Sequence, residues 1–218
     1  MVETAKIGEG VFTISDMATI LKVPSTSVRY WFNEYVRKEF PKISQYIYNF
    51  NTEDGIFLNF KSLMQLYVFN QLRKRGFSRK KILSLYKGLS EKHNTKYPFA
   101  IEEAVNIITA GDLLLYNYEG FLIDSNNQIY LNEVLKEYLR KIDFEDGVVS
   151  KFYPLGKEKS IVVNPEIQFG SPVINGTRVN ASIIADLFEA GEPVEMISRM
   201  YDISESEVND AIEFSIAA

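Results

Sequence analysis

Five side chains that can donate hydrogen bonds recur along residues 26–37 at the spacing of one helix face. Thr26, Arg29, Tyr30, Asn33 and Arg37 occupy positions i, i+3, i+4, i+7 and i+11, and no carboxylate lies on that stripe. Such donors bind phosphate oxygens and base edges, and a helix fits the major groove of duplex DNA. Thr26 and Asn33 are predicted to read bases, and Arg29 and Tyr30 to contact phosphates or bases. The full predicted DNA-binding set is Ser25, Thr26, Arg29, Tyr30, Asn33, Arg37 and Lys38.

Two helices joined by a short turn are predicted to carry this face. Thr13 and Asp16 have the spacing of a capping box at the start of the first helix, and Pro24 stands just before the second. Apolar residues follow helical spacing in both segments. The pattern favours a helix-turn-helix. The same spacing is also typical of small three-helix domains that do not bind DNA.

The charge of the chain is divided between its halves. Residues 1–100 hold 16 Lys and Arg against 8 Asp and Glu, a net charge of +8, whereas residues 101–218 hold 8 against 21, a net charge of −13. A basic half suits a phosphate backbone and an acidic half does not. Six basic residues among the nine of segment 73–81 strengthen the basic character.

The apolar pattern of the first motif recurs near the C-terminus. Apolar residues at 194, 197, 203, 208, 211 and 212 match positions 14, 17, 23, 28, 31 and 32 after subtraction of 180. The stripe expected to be exposed holds Ser206, Asn209, Asp210 and Glu213, and residues 194–218 have a net charge of −5. Phosphates would repel this face, so the second motif is predicted to contact protein. A plain three-helix packing unit explains the pattern equally well.

The segment FGSPVINGTRV, at residues 169–179, predicts a two-residue Asn-Gly hairpin. Ile174 would then pair with Thr177, and Val173 with Arg178. A salt bridge from Arg178 to Asp186 or Glu189 is one interpretation. A place for Thr177 and Arg178 at a protein interface is the other. The predicted protein-interaction residues are Thr177, Arg178, Asn209, Asp210 and Glu213.

The remaining segments complete a mainly α fold with small β hairpins, an α+β class. Hairpins are predicted at 46–60, as a wing, and at 113–124. Two helices are predicted over 62–89, the first ending at Gly76 and the second capped by Ser78. A helix is also expected at 131–142, and a linker at 154–160. We divide the chain into a winged helix-turn-helix domain at 1–93, a small mixed middle module and linker at 94–156, and a C-terminal domain at 157–218.

Composition argues against several function classes. The chain has no Cys and one His, at 93, so disulfides, Cys-based metal sites and most His-dependent catalysis are not expected. No Gly-rich phosphate loop or catalytic constellation is visible. We expect a non-enzymatic protein without metal or cofactor. Without a signal peptide or a membrane-length apolar run, a soluble, cytoplasmic protein is expected.

Residues 161–214 resemble a small bacterial and archaeal family first described without a known function. Its G-x-P-x-I-x-G-T-R core is matched by Gly170, Pro172, Ile174, Gly176, Thr177 and Arg178. A terminal helix-turn-helix follows in that family. Its members are similar to antitoxins encoded beside PIN-like ribonuclease toxins, so the resemblance implies a toxin-binding domain.

Segments 12–31 and 72–82 resemble the winged helix-turn-helix of mercury-resistance-type (MerR-like) regulators. In that family the Arg at the position of Arg29 contacts the DNA backbone. The long dimerisation helix of those regulators is absent from the sequence, which puts their promoter-untwisting mechanism in doubt.

The two resemblances together are typical of a VapB-type antitoxin with an N-terminal DNA-binding domain. They imply a homodimer or higher oligomer that binds the operator of its own operon and a PIN-like toxin. Either the acidic domain would cover the toxin's RNA-binding surface, or Arg178 would reach its metal-binding acids. The alternative is a stand-alone winged-helix regulator with a ligand-sensing middle domain, for which aromatic residues at 97, 99, 116, 118 and 121 would line a pocket.

Overall fold

The computed structural model describes residues 8–37, 56–109 and 125–216. This part of the chain is mainly helical with one small antiparallel sheet, which confirms the predicted α+β class. It divides into two compact units. The described residues of the first unit are 8–30, 56–60 and 151–216, and those of the second are 31–37, 61–109 and 125–150. The three-part division drawn from the sequence stays a prediction.

Nine α-helices lie within the described residues. They are α1 (Ile14–Leu21), α2 (Ser25–Trp31), α3 (Phe60–Lys74), α4 (Arg79–Lys92), α5 (Glu102–Thr109), α6 (Ser125–Leu139), α7 (Ala181–Glu189), α8 (Val194–Tyr201) and α9 (Glu205–Ile216). A π-helical segment, Phe32–Arg37, follows α2 directly. None of these described helices is long and apolar enough to cross a membrane.

Four short strands, β1 (Ile142–Glu145), β2 (Val148–Phe152), β3 (Ile161–Val163) and β4 (Pro172–Ile174), follow the order β1-β2-β3-β4. Phe152 pairs antiparallel with Val163, and Val162 pairs antiparallel with Val173. All three β3 side chains are buried. A strand with no exposed position reads as a continuous apolar run, which is how it stands in the sequence.

The first unit joins the N-terminal helices to the C-terminal residues through Phe12. Its backbone pairs with Leu58 in an isolated antiparallel bridge, and its ring is 1% exposed. A Cβ on Gly170 would overlap this ring, and Gly170 also has a φ of +91°. Only glycine satisfies both conditions without strain. The first glycine of the 170–178 segment is therefore explained by packing.

The second unit is built around α3, which is buried on nearly all sides. Helix α3 ends at Lys74, and Gly76, with a φ of +84°, follows in the turn; Ser78 then caps α4 by accepting from the Lys81 N–H, as predicted. Phe99 packs edge-on against Phe69 at a centroid distance of 5.9 Å and is fully buried. Phe99 is thus part of the core rather than available to line a pocket.

Several predicted elements differ from the observed ones or fall outside the described residues. The 113–124 hairpin and most of the 46–60 hairpin are outside them. Helix α6 begins at Ser125, six residues before the predicted start. The β1–β2 hairpin was missed, although its turn, Asp146-Gly147, has positive φ at both residues, as the tightest hairpins require.

Candidate DNA-binding and protein-binding surfaces

The exposed face of α2 holds the first four predicted DNA-binding residues. Thr13 caps α1 reciprocally with Asp16, and after a three-residue turn α2 begins at Ser25. Ser25, Thr26, Arg29 and Tyr30 are all exposed, Tyr30 by 53%. Among the described residues Arg29 forms no ion pair. Its guanidinium is therefore available to an external anion.

The second half of the predicted stripe has a different helical geometry. Asn33 is half-buried and lies in the π-helical segment, where the repeat is wider than in an α-helix. A spacing of three or four residues therefore no longer keeps Asn33 on the α2 stripe. This corrects the assumption of one continuous α-helical face. Lys38 lies outside the described residues.

The internal repeat inferred from the apolar pattern is present in the backbone. Lys22 ends α1 in the left-handed region at φ 54° and ψ 54°, and Asp202, 180 positions later, ends α8 at φ 52° and ψ 47°. Val23 N–H donates to the Ala18 carbonyl at 3.1 Å, and Ile203 N–H donates to the Ser198 carbonyl at 3.1 Å. The pairs α1–α2 and α8–α9 are therefore two helix-turn-helix motifs with the same turn.

The two motifs meet inside the first unit. The Lys22 ammonium donates to the carbonyl of Phe214, near the end of α9, and lies 3.6 Å from the centroid of its ring. Burial lowers the pKa of Lys22 to about 8. The turn of the basic motif is thus fixed to the last helix of the acidic one.

Asp210 was predicted to be exposed on α9, and this prediction is wrong. The residue is 6% exposed, whereas Asn209 and Glu213 are exposed as predicted. Asp210 accepts from Lys159 Nζ at 2.9 Å, from Ser160 N–H at 2.9 Å and from Ser160 Oγ at 3.0 Å. The sequence had placed Lys159 and Ser160 in a linker, so these partners were not foreseen.

The pKa values in this cluster follow from those contacts. Burial alone would raise the pKa of Asp210, but the hydrogen bonds from Lys159 and Ser160 outweigh it and lower that pKa below its ordinary value. Glu213 accepts from the same Lys159 Nζ at 2.8 Å. Hydrogen bonds to Glu213 and Asp210 raise the pKa of Lys159. Lys159 and Asp210 are therefore both charged at neutral pH.

Asp210 also supports the loop that carries Thr177 and Arg178. The Ser160 carbonyl, next to the amide that Asp210 binds, accepts from Asn175 N–H at 2.7 Å. Thr177 Oγ1 donates to the Ile174 carbonyl at 2.8 Å and accepts from Val179 N–H at 3.0 Å. The Thr177 hydroxyl is thus used inside the loop, which gives this residue a structural role.

The Asn-Gly turn forms, but the register around it differs from the prediction. Thr177 N–H closes the turn on the Ile174 carbonyl, with Gly176 at φ +81°. Ile174 N–H donates to the Val179 carbonyl, and Val173 bridges Asn180. The loop therefore spans 175–178, four residues instead of two. The Thr177 hydroxyl, which holds Val179 N–H, stabilises this wider loop.

Arg178 is exposed at the end of this loop. Its carbonyl accepts from Gln168 Nε2 at 3.5 Å. Within the part of the chain that the structure describes, its guanidinium forms no ion pair with Asp186 or Glu189. The predicted intramolecular salt bridge is therefore wrong, because the wider loop removes Arg178 from the position opposite Val173.

A cleft of about 270 Å³ lies beside α1 and the 170–172 segment. Two of its polar side chains are already engaged: Asp16 in the α1 capping box and Asn180 as the cap of α7. Over the described residues, no cluster of three or more His, Asp or Glu side chains could hold a metal ion. Asp16 and Asn180 therefore serve local structure.

The chain is similar to known proteins both in sequence and in fold. Residues 161–215 match a family model described as "Protein of unknown function (DUF433)". The chain is 21% identical over 232 residues to a Mycobacterium tuberculosis protein named "Putative antitoxin VapB45", with 95% of this chain and 94% of that protein covered. A crystal structure of Rv2018 from Mycobacterium tuberculosis shares the fold, with a TM-score of 0.70 and 19% identity over 92% of this chain and 96% of that one. These similarities support an antitoxin-like protein.

Proposed function

We propose that the chain is a DNA-binding antitoxin that represses its own operon and neutralises a PIN-like ribonuclease toxin in the cytoplasm. The observation that carries the proposal is the similarity to a named antitoxin over 95% of the chain. Both ends of the chain contribute to that alignment. The proposal gives the chain no catalytic role.

The exposed face of α2 supports the DNA-binding part. Thr26, Arg29 and Tyr30 present three donors to solvent on α2, and Thr26 lies near the start of the helix, where residues best reach base edges. As a dimer, the protein would place two copies of α2 in half-sites about one helical turn apart. Asn33, Arg37 and Lys38 complete the proposed set of DNA-binding residues.

Salt dependence tests the DNA-binding part. Each phosphate neutralised releases counterions, so affinity for operator DNA should fall steeply between about 50 and 200 mM salt. Arg29→Ala should weaken binding to all sequences alike and reduce the salt slope by about one. Arg199→Ala, which removes a similarly exposed Arg from α8, is the matched control and should leave DNA binding unchanged. Equal effects of the two variants would contradict the assignment.

The C-terminal residues support the toxin-binding part. Arg178, Asn209 and Glu213 are exposed, whereas Asp210 and Thr177 act within the fold. An acidic domain suits the RNA-binding surface of a nuclease, and an exposed Arg suits its metal-binding carboxylates. Both contacts belong to the same proposed partner.

Co-expression with the product of an adjacent small nuclease gene tests this part. The toxin alone should arrest growth, and the full chain should restore it and co-purify with the toxin. Growth arrest that persists despite abundant, folded chain would overturn the antitoxin assignment.

A further inference from the structure

Four large apolar side chains of α7 and α8 are exposed. Ile183 is 46% exposed, Phe188 41%, Met196 47% and Met200 57%. Single exposed apolar residues are ordinary on protein surfaces, whereas four large ones within 18 residues of sequence are unusual. We name these four residues the α7–α8 surface.

The core of this domain does not use these side chains. Helices α7, α8 and α9 bury other residues, among them Ile184, Ile197 and Val208, all fully buried. Met196 and Met200 are one turn apart on the same face of α8, adjacent to Ile197 but turned outward. Their exposure therefore cannot be assigned to packing within the domain.

Carboxylates dominate the helices that carry this surface. Residues 181–216 contain nine Asp and Glu but one basic residue, Arg199, which is already paired with Glu195. Asp186, Glu189 and Glu192 are exposed beside Phe188 in the sequence, and within the described residues they form no ion pair. The surface therefore combines apolar anchors with an uncompensated negative charge.

Exposed apolar side chains together with negative charge favour one kind of binding partner. Nucleic acid would be repelled by the carboxylates. A second copy of the chain would bring like charges together across the interface, which disfavours self-association. A basic protein surface with an apolar pocket is complementary to both features. Its Lys and Arg would pair with the carboxylates, and its pocket would bind the apolar side chains.

We propose that the α7–α8 surface is the docking site for the basic, RNA-binding face of the toxin. This inference rests on the proposed antitoxin function and specifies where the partner binds. Met196 and Met200 supply flexible apolar anchors that adapt to the partner pocket. Phe188 supplies a rigid one. Arg178 lies outside the site.

The test measures the affinity of the purified full chain for a catalytically inactivated form of the adjacent nuclease. Met196→Ser with Met200→Ser should weaken binding at least tenfold, since removal of central apolar anchors gives losses of this size. Ile216→Ser is the matched control: Ile216 is 73% exposed at the end of α9, outside the surface, and its loss should leave affinity unchanged.

The charge contribution is tested separately. Glu189→Lys with Glu192→Lys should weaken binding about tenfold at low salt, and the difference should shrink at about 0.5 M salt because exposed charges are screened. Glu205→Lys, an exposed change on α9, should have little effect. Hydrogen exchange of the wild-type complex should show protection of α7 and α8. Circular dichroism of each variant shows that the fold is retained.

The outcomes separate this inference from the proposed function. A wild-type chain that does not bind the nuclease overturns both. Wild-type binding that is lost in Arg178→Ala but retained in the Met196/Met200 variant overturns the docking site alone. If the wild-type chain binds but self-associates through this surface, and the double Met variant dissociates the homo-oligomer without weakening nuclease binding, the site is an interface between copies and the inference is wrong.

Discussion

Replacement of Asp210 by alanine is expected to destabilise the C-terminal part of the first unit strongly. The carboxylate is the acceptor for both the N–H and the hydroxyl of Ser160, and the Ser160 carbonyl in turn holds Asn175. Its loss removes the acceptor of a half-buried amide and loosens the loop at 175–178. Asn209→Ala, one position away on an exposed part of α9, is the control.

The magnitude follows from the contacts. A hydrogen bond to a charged acceptor contributes about 1.5–3 kcal/mol, and an amide left without a partner costs about 1–3 kcal/mol. The ion pair to Lys159 adds little, because the Lys159 side chain is 34% exposed and solvent screens the pair. We expect Asp210→Ala to lower the free energy of unfolding by about 2–4 kcal/mol. Asn209→Ala and Glu213→Ala should each stay within about 0.5 kcal/mol, as surface changes usually do.

The pH dependence has a definite sign. The pKa of Asp210 is lower in the folded chain than its ordinary value of 3.8. The unfolded chain therefore binds more protons as pH falls through this range. The stabilisation by Asp210 is fully present above about pH 4 and is lost as pH falls through the folded pKa. Asp210→Ala should remove this component of acid unfolding.

Urea titration with pulsed hydrogen exchange can measure the effect locally. Peptides from 151–216 report the unfolding of this region separately from the second unit, which matters because a chain with two units need not unfold in one step. With a urea slope of about 2 kcal/mol per molar, the midpoint of the Asp210→Ala variant should fall by about 1–2 M. If it matches the midpoint of Asn209→Ala, the internal role assigned to Asp210 is refuted.

Three further variants test other parts of the fold. Gly170→Ala should be about 1–3 kcal/mol more destabilising than Gly176→Ala in thermal unfolding: both glycines have positive φ, but only a Cβ at 170 meets the Phe12 ring. Equal losses would contradict the packing argument. Thr177→Val should lower stability by about 1–2 kcal/mol while Thr177→Ser keeps it, since both loop hydrogen bonds use the hydroxyl. Lys22→Met should flatten the rise in wild-type stability expected above pH 8, where the folded chain, with its lower Lys22 pKa, binds fewer protons than the unfolded chain. A rise that persists in that variant must come from another group.

The sequence could predict elements whose signals are local. The Thr13 and Asp16 cap, the Ser78 cap and the Gly76 helix end all depend on residues within four positions of one another, and each is present in the structure. The repeat of the helix-turn-helix pattern was visible because helical burial has a fixed period. The Asp146-Gly147 turn was equally local and could have been predicted from the same rules.

Interactions between distant segments could not be predicted in this way. The contact of Asp210 with Ser160 spans 50 residues, and that of Lys22 with Phe214 spans 192. No spacing rule connects such positions. A polar residue at the edge of a helix face is exposed or buried according to what packs there, and only the structure shows that the turn before β3, with Lys159 and Ser160, packs on Asp210. The candidate site therefore differs most from its prediction at residues whose exposure depends on long-range packing.

Under the proposed function, the two helix-turn-helix motifs would use one backbone for two kinds of partner. Their turns place Lys22 and Asp202 in the same left-handed conformation, so the geometry of the turn does not distinguish them. Their surfaces do: α2 exposes Thr26, Arg29 and Tyr30, whereas α9 begins with exposed Glu205 and contains no basic residue. Because a helix approaches a polyanion only when its exposed charge allows it, the proposed difference in partner would arise from these surface residues. A fold comparison alone cannot assign DNA binding to either motif, and the charge on the exposed helix face has to decide.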